Sequence, residues 1–205
     1  AKHFCYNYNV WILIGSLVYK VGETGKCVNR SILIGPTGEI AAQYDKIHMF
    51  DVTISDTESY QESKHYQQGK HAVLAQTPWA NIGLTICYDL RFAGLYRTLA
   101  KSGAQILTAP AAFTCSTGKA HWHTLIKSRA IETGCFLIAS AQTGEHPGSN
   151  RKTYGHSLIV NPWGEVILDG GKLPGLFFAK LDLREVKSAR NRIPSLSDNS
   201  EFKIR

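Results

Sequence analysis

Asn81-Ile82-Gly83-Leu84-Thr85-Ile86-Cys87-Tyr88-Asp89-Leu90-Arg91-Phe92 runs an apolar strand straight into a cysteine, and a helical pattern starts a few residues later. A nucleophile on such a strand-to-helix turn is held by a rigid element and exposed at the sheet edge. Backbone N–H groups there, including that of Tyr88, can face an oxyanion. The same stretch also reads as a buried core cysteine at a strand end, the commoner fate of a free thiol.

Working outward, Phe92, Leu95, Tyr96, Leu99 and Ala100 recur at helical spacing, and Gly103 is a good stop. Trp122, Leu125, Ile126 and Ala130 form a second stripe ended by Gly134, and Val186, Ala189 and Ile193 a third stopped by Pro194. Ala1–Asn9 reads as the tail of a helix. Short apolar runs between them predict strands at Val10–Ile14, Ser31–Ile34, Ile40–Tyr44, Ile82–Ile86, Gln105–Ala109, Phe136–Ala141, His156–Val160 and Leu176–Lys180. Gly35-Pro36-Thr37-Gly38 and Asn161-Pro162-Trp163-Gly164 are turns joining paired strands. Strands mixed with helices and hairpin turns make an α/β (α+β) protein, with sheets covered by helices.

Two further stretches carry candidate chemistry. In Tyr44-Asp45-Lys46-Ile47-His48-Met49-Phe50-Asp51, Lys46 ends a strand. A lysine near a thiol lowers its pKa and stabilises developing negative charge, whereas an isolated lysine is a surface group. Glu62, in Tyr60-Gln61-Glu62-Ser63, is placed in a polar loop and reads on its own as an exposed acid. His121-Trp122-His123 looks like a metal pair, but residues two apart on a helix do not share a face, and no HExxH arrangement is present. No metal site is expected there.

Composition narrows the classes. With 205 residues, 43% hydrophobic and 19% charged, the chain can bury one sizeable core, so residues 1–205 are expected to form a single domain. The five cysteines, Cys5, Cys27, Cys87, Cys115 and Cys135, are odd in number and form no CxxC pair, which argues against a disulfide scaffold or zinc ribbon. The net charge of +7 comes from scattered basic residues, with a mild C-terminal excess through Arg205, and not from a nucleic-acid-binding stripe. No apolar run is long enough to span a bilayer and the first residues lack a signal-peptide pattern, so a cytoplasmic location is expected.

Taken together, Lys46-Ile47-His48-Met49-Phe50-Asp51 resembles the lysine motif of the nitrilase superfamily of carbon–nitrogen hydrolases, and Gly83 to Phe92 its nucleophile motif. The 41 residues from Lys46 to Cys87 agree with its amidase branch. So do Pro110-Ala111-Ala112-Phe113, His121-Trp122 with Arg129-Ala130, and Tyr154-Gly155-His156-Ser157 followed by Asn161-Pro162-Trp163-Gly164. The resemblance runs in order from Val10 to Pro194. It implies an αββα four-layer sandwich that pairs into a homodimer or higher homo-oligomer, with no cofactor. It also implies hydrolysis of a small carboxylate-bearing amide through a cysteine thioester. Arg129-Ala130-Ile131-Glu132-Thr133 and Ala141-Gln142-Thr143-Gly144 resemble the Nit-type branch acting on deaminated glutathione; the ω-amidase branch acting on α-ketoglutaramate is the close alternative. By the resemblance, Cys87 is the nucleophile, Lys46 and the Tyr88 N–H hold the oxyanion, and Glu62 is a second acid that orients lysine and substrate. Arg91, Ala112 and Phe113 are candidate substrate contacts.

The family's general base is a glutamate near the end of the first or second strand, upstream of the lysine motif. Glu23 and Glu39 are placed in hairpin turns, which is the wrong position. The opening strand, the opening helix and the base are therefore expected to be missing from this chain. That leaves a rival reading: a catalytically dead sandwich that binds a ligand or oligomerises. An N-acyltransferase of the same superfamily is disfavoured, because it would carry extra segments.

Overall fold

The computed structural model describes residues 1–22, 25–148, 151–201 and 203–204. Glu23 and Arg205, named above, lie outside these described residues. Helix α1 (Lys2–Tyr8) leads into an antiparallel sheet of β1 (Ile12–Lys20), β2 (Cys27–Ile34) and β3 (Ile40–Asp45), in that spatial order. A hairpin follows, β4 (Asp51–Ser55) with β5 (Glu58–Gln61). The second sheet begins with β6 (Val73–Gln76) and β7 (Asn81–Leu84), continues through α2 (Ala93–Lys101) to β8 (Ile106–Thr108), and through α3 (Cys115–Thr133) to β9 (Phe136–Ala139). A small hairpin, β10 (Thr143–Glu145) with β11 (Lys152–Tyr154), interrupts it before β12 (Leu158–Val160) and β13 (Val166–Asp169). Helix α4 (Arg184–Arg192) closes the sequence of regular elements.

The second sheet has the order β13-β12-β9-β8-β7-β6. Its central pairs, β7 with β8 and β8 with β9, are parallel, and all other neighbours are antiparallel. Parallel neighbours need crossover connections, which α2 and α3 supply on one face. That face packs on Tyr96, Leu99, Trp122, Ile126 and Ala130. The other face meets the three-stranded sheet: Leu33 and Tyr44 pack against Ile82, Leu84, Ile106 and Phe136. Cys5 of α1 covers the outer side of the small sheet at Ile32 and Ile34. The layers are therefore helix, sheet, sheet, helix, the αββα arrangement the motifs implied. Strands β7 and β8 are covered on both faces, which is why they read as unbroken apolar runs. Each large side chain in these layers contributes about 1.5–3 kcal/mol of transfer free energy.

Local signals end the elements where expected. Gly134 caps α3 in the left-handed conformation at φ 58°, and Thr114 caps its start by accepting from the Thr117 N–H. Glu39 sits in the turn between β2 and β3, as placed from sequence. Three expectations need correction. Leu176–Lys180 forms no strand; Leu176 and Phe178 are exposed, and no described strand pairs with the segment. An apolar run becomes a strand only where a neighbouring strand satisfies its backbone. Glu62 follows β5 directly in a one-turn 3₁₀ helix (Glu62–Lys64), not in a polar loop. The first strand begins at Ile12 and runs on to Lys20, beyond the predicted Ile14.

Candidate active site

The parallel strands β7, β8 and β9 all end on the same edge, where open α/β sheets place their sites. Past the end of β7, Ile86 is extended (φ −136°, ψ 120°) and Cys87 then turns to φ 51°. That region is sterically unfavourable for a residue bearing a Cβ, so surrounding bonds must hold it. The Cys87 N–H donates to Pro110 O at 2.9 Å, tying the turn to the chain beyond β8. Asp89, fully buried, does the rest. Its carboxylate accepts from the Ile86 N–H (2.9 Å), the Tyr44 hydroxyl (2.6 Å) and the His48 N–H (3.0 Å), and its Oδ1 lies 2.7 Å from His48 Nδ1. Burial, reinforced by the Asp89 charge, pushes the Tyr44 phenol far above its usual range and keeps it a donor. One carboxylate thus locks the nucleophile turn to the strand and loop that carry Lys46. Reading the motif from sequence left Asp89 without a role, because its partners lie 41 and 45 residues upstream.

Lys46 follows β3 and is almost wholly buried. Its backbone is fixed on both sides, donating to Asn29 O and accepting from the Gly69 N–H. Its ammonium is 2.5 Å from Glu62 Oε2, and the same oxygen accepts from the Phe50 N–H at 2.6 Å. Burial of a lysine requires such a partner. The β4–β5 hairpin carries Glu62 into place.

Lys46, Glu62, Cys87, Tyr88, Ala112 and Phe113 all line one cavity of about 770 Å³, within the range of small-molecule sites. Tyr88 is the second residue of a 3₁₀ turn (Cys87–Arg91), so its N–H has no acceptor within that turn. The Ala112 N–H is directed at the Cys87 sulfur. Arg91, by contrast, does not line the cavity. Its guanidinium lies over the Tyr88 and Phe113 rings, 5.9 and 5.5 Å from their centroids, and 3.4 Å from His121 Nδ1. It supports the wall from behind. Among the cavity residues that escaped the sequence reading are His146 and Arg151, from the segment joining β10 to β11. Arg151 donates to Ala112 O at 2.8 Å, with its guanidinium 5.7 Å from the Tyr60 ring. A lone arginine far from any motif gives no signal in one sequence.

The electrostatics reverse one expectation. Burial pushes the Cys87 thiol up, and the opposing pull of Lys46 does not overcome it. Lys46 is already paired to Glu62, which itself adds a smaller upward push. The resting sulfur is therefore a thiol that must lose its proton during attack.

The sequence profile of the family described as carbon–nitrogen hydrolase matches residues 2–191. The chain belongs to the carbon–nitrogen hydrolase family. The deaminated glutathione amidase of Yersinia enterocolitica is 43% identical over 201 residues, covering 97% of this chain and 70% of that protein. The human deaminated glutathione amidase is 41% identical over 173 residues, covering 84% and 53%. Among solved structures, the Caenorhabditis elegans NitFhit protein superposes with a TM-score of 0.89 at 37% identity, over 96% of this chain and 48% of that one. Saccharomyces cerevisiae Nit3, described as a member of branch 10 of the nitrilase superfamily, gives 0.87 at 27% identity, over 98% and 70%. This carbon–nitrogen hydrolase thus spans about half the length of NitFhit. Among the described residues, no helix is long and apolar enough to cross a membrane.

Proposed function

We propose that this chain hydrolyses the carbon–nitrogen bond of a small amide bearing a carboxylate, of the deaminated glutathione type. The observation that supports it is the meeting of Cys87, Lys46 and Glu62 in one cavity that also holds Arg151. Cys87 sulfur attacks the amide carbonyl carbon, and the oxyanion forms between the Lys46 ammonium and the Tyr88 N–H. The amine or ammonia leaves with a proton, and water then cleaves the thioester to regenerate the thiol. Glu62 keeps Lys46 aimed at the oxygen. The Arg151 guanidinium also lines the cavity, and such a group suits a substrate carboxylate through its paired N–H donors. The named relatives favour deaminated glutathione; α-ketoglutaramate offers the same two groups.

Among the described residues, Glu62 is the one carboxylate that lines the cavity. It is held by Lys46, and the thiol needs a proton acceptor, which favours a slow or purely binding chain as a second reading. We also propose self-association through the exposed apolar side chains Leu173, Leu176 and Phe178. The test of function is ammonia and amine release from deaminated glutathione, α-ketoglutaramate and a neutral amide of similar length. Preference in kcat/KM for the carboxylated amides supports the reading; equal turnover of the neutral amide overturns it. Ligand protection of Cys87 without any turnover favours binding alone.

A further inference from the structure

Outside the cavity, His123, His156 and Asp169 converge: each presents one ligand atom, and these atoms all lie within 4.8 Å of one another. None of the three lines the Cys87 cavity. His123 comes from α3, whereas His156 precedes β12 and Asp169 is the last residue of β13. His123 Nε2 is 3.0 Å from Asp169 Oδ2, and His156 Nδ1 is 2.9 Å from Asp169 Oδ1. Helical spacing puts His121 on a different face, beside Arg91. The pair that sequence suggests is thus not the one that the fold assembles.

We propose that His123, His156 and Asp169 bind a divalent transition-metal cation of the zinc type, clamping α3 to the β12–β13 hairpin. Two imidazoles and a carboxylate match the ligand softness of zinc, nickel or copper and not of calcium or magnesium. Zinc ligands at about 2.0–2.2 Å in tetrahedral geometry stand about 3.3 Å apart. Measured to the single oxygen Asp169 Oδ2, the His123 and His156 separations are 3.0 and 3.1 Å, a few tenths of an ångström shorter. With all three ligand atoms within 4.8 Å of one another, side-chain rotation admits the ion. His123 and Asp169 are each 35% exposed, leaving a solvent-facing position for the fourth ligand, a water.

The surroundings are built to hold these groups. The Gly171 N–H donates to Asp169 Oδ1 at 2.8 Å, the kind of outer hydrogen bond that fixes a ligating carboxylate. His156 sits at φ 58°, a conformation rare for a residue with a Cβ. It is kept there by its N–H on Gly171 O (2.6 Å), by Trp122 Nε1 on its own carbonyl (2.7 Å) and by Tyr154 stacked on its ring. That conformation aims the imidazole at Asp169. A triad joined only by hydrogen bonds is the competing arrangement, and it would take up no metal.

Zinc binding to the full chain, measured by calorimetry and by metal content after dialysis, decides between them. The expected result is one Zn²⁺ per chain. The binding persists in Cys87→Ala, which removes the cavity thiol as a zinc ligand. It weakens at least about ten-fold in His123→Ala and in Asp169→Asn. Co²⁺ should give the visible absorption of a four-coordinate site, and Zn²⁺ should raise the melting temperature of the parent but not of His123→Ala. His123 lies on a solvent-facing part of α3, so its loss leaves the fold intact, as circular dichroism can check. No saturable binding, binding that survives both substitutions, or binding lost only in Cys87→Ala would each overturn the site.

Discussion

Asp89→Asn tests whether one buried carboxylate holds the nucleophile turn. The side chain keeps its shape, but only one oxygen remains to serve two pairs of donors: Ile86 N–H with the Tyr44 hydroxyl, and His48 N–H with its ring. In either orientation the new amide NH₂ faces a backbone N–H that has lost its acceptor. An unsatisfied buried donor costs about 1–3 kcal/mol, and the surviving bonds lose their charge assistance, giving about 3 kcal/mol in all. For a chain of this length each kcal/mol moves the melting temperature by about 2–4 °C, so a fall of about 6–12 °C is expected. Displacing Cys87 by about 1 Å should also lower kcat/KM by about 10²-fold. Thermal unfolding by circular dichroism and amide turnover read the two effects. A melting temperature within about 2 °C of the parent would refute the network's role in stability.

Other consequences are testable in the same preparation. Because burial disfavours its anion, alkylation of Cys87 by iodoacetamide should rise with pH through a midpoint above the ordinary thiol value of about 8.5, and higher still in Lys46→Met. Peptide mapping at a series of pH values checks this, and a midpoint below 8.5 contradicts it. Exposed Cys115 should be alkylated as well. Arg151→Met should raise KM for a carboxylated amide about ten- to hundred-fold while sparing a neutral one, as expected for one lost charge-assisted bond. Gly118→Ala would place a Cβ 2.4 Å from Tyr154 Cβ, so urea denaturation should show a loss of about 1–3 kcal/mol.

Much of the architecture was legible because its signals are local. The α2, α3 and α4 stripes and their stops at Gly103, Gly134 and Pro194 are properties of a few neighbouring residues, and α2 and α3 cover the face of the larger sheet. The central strands declare themselves by being apolar on both faces. The short strands β4, β5, β10 and β11 do not, since polar side chains alternate in them and their pairing depends on docking against the body of the protein. Leu176–Lys180 fails in the opposite sense, apolar but unpaired among the described strands. At the site, the family resemblance named Cys87, Lys46 and Glu62, which the fold brings to one cavity. Glu62 lies on the Lys46 ammonium, in line with the orienting role the resemblance implied, but the depth at which the fold buries Cys87 has no local signal, so the pull of Lys46 on the thiol was overestimated. Asp89, Arg151 and the His123–His156–Asp169 cluster stayed hidden for a shared reason: each acts through residues distant in the chain.

The central claim is that Cys87 carries the acyl group. It is tested most directly by acid-quenched peptide mass mapping after incubation with deaminated glutathione or α-ketoglutaramate. The account predicts an acyl adduct on the peptide containing Cys87, absent in Cys87→Ala and strongly reduced in Lys46→Met, because the buried Lys46 ammonium is the cation that acts most strongly on the thiol. An adduct on a different cysteine, or amine release that continues unchanged in Cys87→Ala, would contradict it.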